Sequence, residues 1–241
     1  MNRVKPPRPD STLGRVLQSA ARLQEAVPDA VLVGGSAAAL YAAHRESLDH
    51  GHNNDHILSD LEQRFEQVLE AIESTEGWVT NRIVPGKIIL GMLGDIEAGV
   101  RQMIRKRPLE IEQIELPGGR SVRVPTRDET LRIKAWLIVG RNQVRDYLDV
   151  AALADSGGLD HAAAVLAGID DWYADQAQSS DGVASQLVRQ LADPRPADSS
   201  VTAELEHYKH LERPWHDWQA TVEICRELAT RMLKSGEGAP P

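Results

Sequence analysis

The chain holds a single cysteine, Cys225, among its 241 residues. No internal disulfide can form, as expected of a protein kept in a reducing compartment. Aromatic residues make up only 4% and phenylalanine occurs once, so the core has to be built from aliphatic side chains. No run approaches the roughly 20 apolar residues that span a bilayer. The opening "MNRVKPPRPD" has no apolar stretch behind its basic residues and does not read as a secretory signal. The expectation from these absences is a cytoplasmic protein with no membrane segment. A basic excess is missing too. The net charge of −9 argues against unspecific binding of nucleic acid over the whole surface. A local basic patch is still present in "RQMIRKR", which carries Arg101, Arg105, Lys106 and Arg107. That stretch reads either as a solvated edge or as a phosphate-contacting strip.

What is present is a chain long enough for one large domain or a core with an appendage, with 41% hydrophobic and 26% charged residues. Ser11 is placed to cap a first helix whose apolar residues Leu13, Val16, Leu17, Ala20 and Leu23 recur at helical spacing until Pro28. "AVLVGG" reads as a buried strand turning sharply into the helix "SAAALYAAHR". "LSDLEQRFEQVLEAIEST" predicts an amphipathic helix with Leu61, Phe65, Val68, Leu69 and Ile72 on one face. "WVTNRIV", "GKIILGML", "GVRQMIRK", "LEIEQIEL" and "SVRVP" read as strands. From Pro125 onward the pattern is helical: "TRDETLRIKAWLIVG", "NQVRDYLDVAALADSGG" and "LDHAAAVLAGIDDWYADQ". A linker, "DPRPADSS", comes next, and two more helices are expected after it. The predicted fold class is α+β, a mixed α/β half over 1–125 followed by an all-helical half over 126–241.

Three places carry chemistry. Gly34-Gly35-Ser36 ends a strand and opens a helix. Glycines let a ligand approach the backbone, and a helix N-terminus offers free N–H groups to an anion. The segment "DHGHNNDHILSDL" then sets Asp49 and Asp55 six residues apart. On one continuous strand that is about 20 Å, too far to share a metal ion. Removing "GHNN", residues 51–54, leaves Asp-His-Asp-His, in which two acids at i and i+2 point the same way about 6.5 Å apart. We read "GHNN" as a loop inserted between two carboxylates. A zinc site from His50, His52 and His56 with Asp49 and Asp55 is a rival, although the spacing matches no strong zinc motif. The third place is helical. Lys134 lies on one helix, and Arg145, Asp146 and Asp149 lie at the start of the next, the two acids at i and i+3 sharing a face.

Taken in order, "VGGSAAALYAAHRESLD" and "KAWLIVGRNQVRDYLDVAAL" resemble the AbiEii-type nucleotidyltransferase family, which includes toxins of toxin–antitoxin systems. The family's Gly-Ser turn falls on Gly35-Ser36, and its Arg-x-Ser-x-Asp strand on Arg45 to Asp49. Its helical lysine falls on Lys134, and its Arg-Asp-x-x-Asp helix on Arg145 to Asp149. The resemblance spans about Val31 to Ala154. It implies a nucleotidyltransferase-like mixed sheet, with the helical half completing the active-site cleft. It also implies transfer of a nucleoside monophosphate from an NTP to RNA, tRNA included, or to protein. Catalytic roles would go to Asp49, Asp55, Lys134, Asp146 and Asp149. Nucleotide binding would go to Gly35, Ser36, Arg45 and Lys134, and Mg²⁺ would sit on Asp49 and Asp55. Arg101, Arg105, Lys106 and Arg107 would contact RNA, and a cognate antitoxin would be a partner. The interrupted Asp-x-Asp keeps an alternative open, a catalytically degenerate binding or regulatory module. A third possibility is a helical interaction protein with an α/β scaffold.

Overall fold

Ser11 starts the first helix, α1 (Thr12–Ala26), its Oγ accepting from the Gly14 N–H at 3.1 Å. Val16, Leu17, Ala20 and Leu23 turn inward on α1. A short strand β1 (Val31–Leu32) leads into α2 (Gly34–Ala42). The strand β2 (Asn54–Leu58) comes next, then α3 (Phe65–Glu73) and the strands β3 (Trp78–Val84), β4 (Ile88–Leu93) and β5 (Ile96–Gln102). The five strands form one mixed sheet in the order β1-β2-β5-β4-β3. β2 runs parallel to β5, and the other pairs are antiparallel. A hairpin of β6 (Ile111–Glu115) and β7 (Ser121–Pro125) packs through β7 on α1 and β1. The Gln24 side chain completes that contact. Its amide donates to the Arg123 carbonyl at 3.0 Å and accepts from the Arg123 N–H at 2.7 Å, as a neighbouring strand would. These are the described residues of the computed structural model: 6–44, 54–176, 181–208 and 211–237.

One face of the sheet is sealed by an aliphatic core. Leu23, Val27 and Ala30 from the α1 region and Phe65, Val68 and Ile72 from α3 meet Leu58, Ile89, Leu93, Ala98 and Val100 from the strands. Each large side chain buried there contributes about 1.5–3 kcal/mol of transfer free energy. A period of two along β2 sends Asn54, His56 and Leu58 into this face and Asp55 and Ile57 to the other.

The helical part comprises α4 (Arg127–Arg141), α5 (Val144–Gly157), α6 (Leu159–Ala167), α7 (Asp170–Tyr173), α8 (Gly182–Ala192) and α9 (Trp218–Glu237). The corner from α4 to α5 is Asn142, a non-glycine residue at φ 53°. Its side chain accepts from the Tyr147 hydroxyl at 2.5 Å and donates to the Arg195 carbonyl at 2.7 Å. These bonds hold a left-handed conformation that asparagine tolerates better than most residues. By its contacts the chain divides into two units, Met1–Leu40 with Ser47–Thr126, and Tyr41–Glu46 with Arg127–Pro241.

The α+β class is as expected, and several boundaries differ. The helix expected from Leu58 begins only at Phe65, because Leu58 completes β2 and Leu61 is buried from a turn. Asn54 is not part of an extruded loop. It is the first residue of β2, fully buried, with its amide donating to Ser19 Oγ at 3.2 Å. The strand expected through Lys106 stops at Gln102. The helix expected over 159–176 breaks at Gly168 into α6 and α7, and α8 lies before the linker, which α9 alone among the α-helices follows in the described residues.

Candidate functional site

In the first unit, the glycine turn and Asp55 are neighbours. Gly34 has φ 78°, in the left-handed region that favours glycine. A Cβ built on Gly34 would lie 3.9 Å from Asp55 Oδ2. The Val33 N–H donates to the Asp55 carbonyl at 2.8 Å, so the end of β1 and the start of α2 are held against β2 beside the acid. Gly35 is half-buried and Ser36 is buried at the mouth of α2. The Asp55 side chain is 26% exposed, with Arg101 Nε of β5 at 3.6 Å. The two residues share the sheet's second face, the one turned away from α1 and α3.

Asp55 thus offers a solvent-reachable carboxylate beside a helix N-terminus, the oxygen donor a hard divalent cation uses when it also binds phosphates. The donor type fits such an ion, and among the described residues it is one protein ligand. No group of three or more His, Cys, Asp or Glu side chains is gathered around a common point among the described residues. Asp49 and Arg45, and with them His50 and His52, lie outside the described residues.

His56 corrects the zinc alternative. Neighbours on a strand face opposite ways, and His56 is fully buried in the core face while Asp55 is on the other. Burial is the main cause that lowers its pKa to about 4, partly offset by hydrogen bonds with the backbone of Asn54 and Gly99. Its Nε2 has no hydrogen-bond partner among the described residues. A neutral imidazole sealed in the core cannot share an ion with Asp55.

The basic strip is not one surface. Arg105 is buried, its guanidinium donating to the carbonyls of Arg107 at 3.0 Å and Pro108 at 3.1 Å, where it holds its own loop. Arg101 is half-buried beside Asp55, and Lys106 and Arg107 are exposed.

In the second unit, Lys134 of α4 and Asp149 of α5 form a buried ion pair, Nζ to Oδ2 at 2.7 Å. The other carboxylate oxygen, Oδ1, is 2.8 Å from His44 Nε2, and both side chains are fully buried. Asp146 takes a different partner. Its carboxylate accepts two bonds from Arg141, at 2.7 and 2.6 Å, a fork that ties the end of α4 to the start of α5. Arg145 makes no such pair, and its Nε is buried without a hydrogen-bond partner among the described residues. Sharing one helix face therefore does not give Asp146 and Asp149 one task. Neither residue type nor spacing singles out His44, which falls in the stretch expected to be helical. Its only marker is its place directly before Arg45 in the quoted motif.

Comparison with known proteins fits this arrangement. The family model described as nucleotidyl transferase AbiEii toxin, type IV toxin–antitoxin system, matches residues 15–228. The chain belongs to the AbiEii nucleotidyltransferase toxin family. A solved structure of similar fold is MenT4, a nucleotidyltransferase toxin from Mycobacterium tuberculosis H37Rv. It superposes with a TM-score of 0.56 at 15% identity, over 92% of this chain and 84% of that one. Curated relatives of a different description also match. The heme uptake protein MmpL11 of Mycobacterium tuberculosis H37Rv is 33% identical over 94% of this chain. The mycolic acid-containing lipids exporter MmpL11 of Mycolicibacterium smegmatis is 37% identical over 55%. The chain spans only 23% and 13% of the length of those two proteins. No helix among this chain's described residues is long and apolar enough to cross a membrane.

Proposed function

We propose that the protein is a Mg²⁺-dependent nucleotidyltransferase of the cytoplasm. It moves a nucleoside monophosphate from an NTP to an RNA acceptor, with tRNA as the first candidate, and releases pyrophosphate. In this reading it acts as the toxin of a toxin–antitoxin pair and has an antitoxin as partner. The observation that carries the reading is the seat of Asp55, an accessible acid on β2 held beside the left-handed Gly34 and the N-terminus of α2.

The roles follow from the chemistry of each group. Free N–H groups at the start of α2 take the negative charge of the phosphates, Gly35 lets them approach, and Ser36 adds a hydroxyl. Arg45 is a further nucleotide ligand. Asp55 and Asp49 would hold the divalent ion, whose chemistry when bound is to neutralise phosphate charge as the phosphoryl group transfers. Lys134 supplies the helical cation that the family resemblance implies. Asp149 is its buried counter-ion and holds it in place, Nζ to Oδ2 at 2.7 Å. Asp146 serves the α4–α5 corner. Arg101, Lys106 and Arg107 are the cations left for an RNA backbone, and Arg105 is structural.

Incubation with each α-labelled NTP, Mg²⁺ and total RNA tests the reading, with wild type beside Asp55→Asn and Asp49→Ala. Label should enter RNA with wild type and with neither variant. Transfer that survives in Asp55→Asn would remove the basis of the proposal. A second reading, a binding or regulatory module that has lost catalysis, is favoured by Arg101 standing where it partly neutralises Asp55. NTP binding by wild type without transfer would select it.

A further inference from the structure

Asp149 has two oxygens and two identified buried partners. Oδ2 meets Lys134 at 2.7 Å and Oδ1 meets His44 at 2.8 Å. A carboxylate only accepts, so the imidazole donates through Nε2–H. The backbone around His44 is built for this placement. α2 ends at Ala42, and Ala43 takes φ 48°, a left-handed conformation with no glycine to ease it. The His44 carbonyl then accepts from the Glu212 N–H at 2.8 Å. Below it, Arg127 donates to the Tyr41 carbonyl at 2.8 Å and to Ser156 Oγ at 2.9 Å. The chain is thus clamped on both sides of a strained residue, and backbone strain of this kind concentrates where a side chain must be aimed.

We infer that His44 is a positioning residue: its Nε2–H fixes the Asp149 carboxylate so that Oδ2 faces Lys134 and holds the ammonium in the one orientation the nucleotidyl transfer uses. The role rests on the proposed activity of Lys134, and it makes no contact with substrate itself. Without the imidazole, Oδ1 loses a donor in a site closed to water. The carboxylate loses one of its two identified anchors, and Lys134 shifts with it.

Glutamine and asparagine separate this role from packing. The amide nitrogen of glutamine reaches the position of Nε2, whereas that of asparagine stops near Nδ1. His44→Gln should keep the bond, and His44→Asn and His44→Leu should not. In the NTP-labelling assay, His44→Leu and His44→Asn are expected to lose about tenfold to a hundredfold in transfer rate, the scale of a misplacement near 1 Å. His44→Gln should stay within about threefold of wild type, and all three should bind NTP. A second measurement does not need activity. The rate at which acetic anhydride acylates Lys134 in the folded protein, followed by mass spectrometry, should rise in His44→Leu and stay low in His44→Gln. Equal losses in Gln and Leu would mean that His44 only fills space. Unchanged Lys134 acylation in Leu would also overturn the inference. A wild type that transfers no label would sink the proposed function, and the acylation rates would still decide whether His44 orients the pair.

Discussion

Asp55 and Asp149 are both acids beside a cation, and they are built in opposite ways. The Asp55 side chain is 26% exposed with its arginine at 3.6 Å. Asp149 is sealed between Lys134 and His44 at 2.7 and 2.8 Å. A loose pair in water is worth about 0–1 kcal/mol and can exchange partners readily. A sealed pair cannot lose one member without stranding a charge in a low-dielectric interior. The α/β unit therefore carries the accessible acid, and the helical unit carries the one held fast by its partners.

The largest expected effect breaks the sealed pair. Asp149→Ala should lower stability by about 3–5 kcal/mol, read from the urea midpoint, and Asp55→Ala by less than about 1 kcal/mol. Equal losses at the two positions would erase the distinction.

Next in size is an acid sensitivity in the α/β unit. His56 titrates near 4 in the folded chain and near 6.5 in the unfolded one. Between those values the unfolded chain binds a proton that the folded chain refuses. Stability is whole above pH 6.5 and falls as the pH drops toward 4, by about 3 kcal/mol in total. Denaturation curves at a series of pH values should show that slope, and His56→Leu should flatten it. A slope unchanged in His56→Leu would assign it elsewhere. A slope lost in His56→Leu would show that sealing, rather than which unit holds the group, makes a polar side chain costly.

The smallest effects concern the two left-handed residues at the ends of α2, Gly34 inside it and Ala43 just past it. Gly34→Ala should cost about 1 kcal/mol, because the methyl opposes φ 78°. Ala43→Gly should gain roughly 0.5–1 kcal/mol by relieving φ 48°. Thermal midpoints moving in the same direction would contradict this account.

Much of the fold was legible because local signals agreed with packing. Ser11 capped α1 as its type and position predicted, and "WVTNRIV" and "GKIILGML" fell on β3 and β4. The helical Lys134 and the Asp146–Asp149 stretch fell on α4 and α5. Leu61 misled because helical spacing only records which residues are buried, and a turn can bury a leucine as well as a helix can. Asn54 misled because its amide type suggests a turn, whereas its partner is Ser19, thirty-five residues away in the chain. Arg105 looked like surface charge because its partners are carbonyls of its own loop, which no charge pattern displays. At the candidate site, residue types marked Asp55, Gly34 and Lys134, but only coordinates could show which oxygen of Asp149 faces which partner.

Cys225 lies fully buried in α9, and burial pushes its thiol up to about 12. At neutral pH it carries almost no thiolate, so it is deaf to alkylating reagents and mild oxidants alike. A cysteine placed at an exposed position, such as Val79→Cys on β3 or Leu233→Cys on α9, would be the one thiol to react. The protein is thus ready, without removing anything, to carry a pair of spin or fluorescent labels whose separation can be read with and without added NTP.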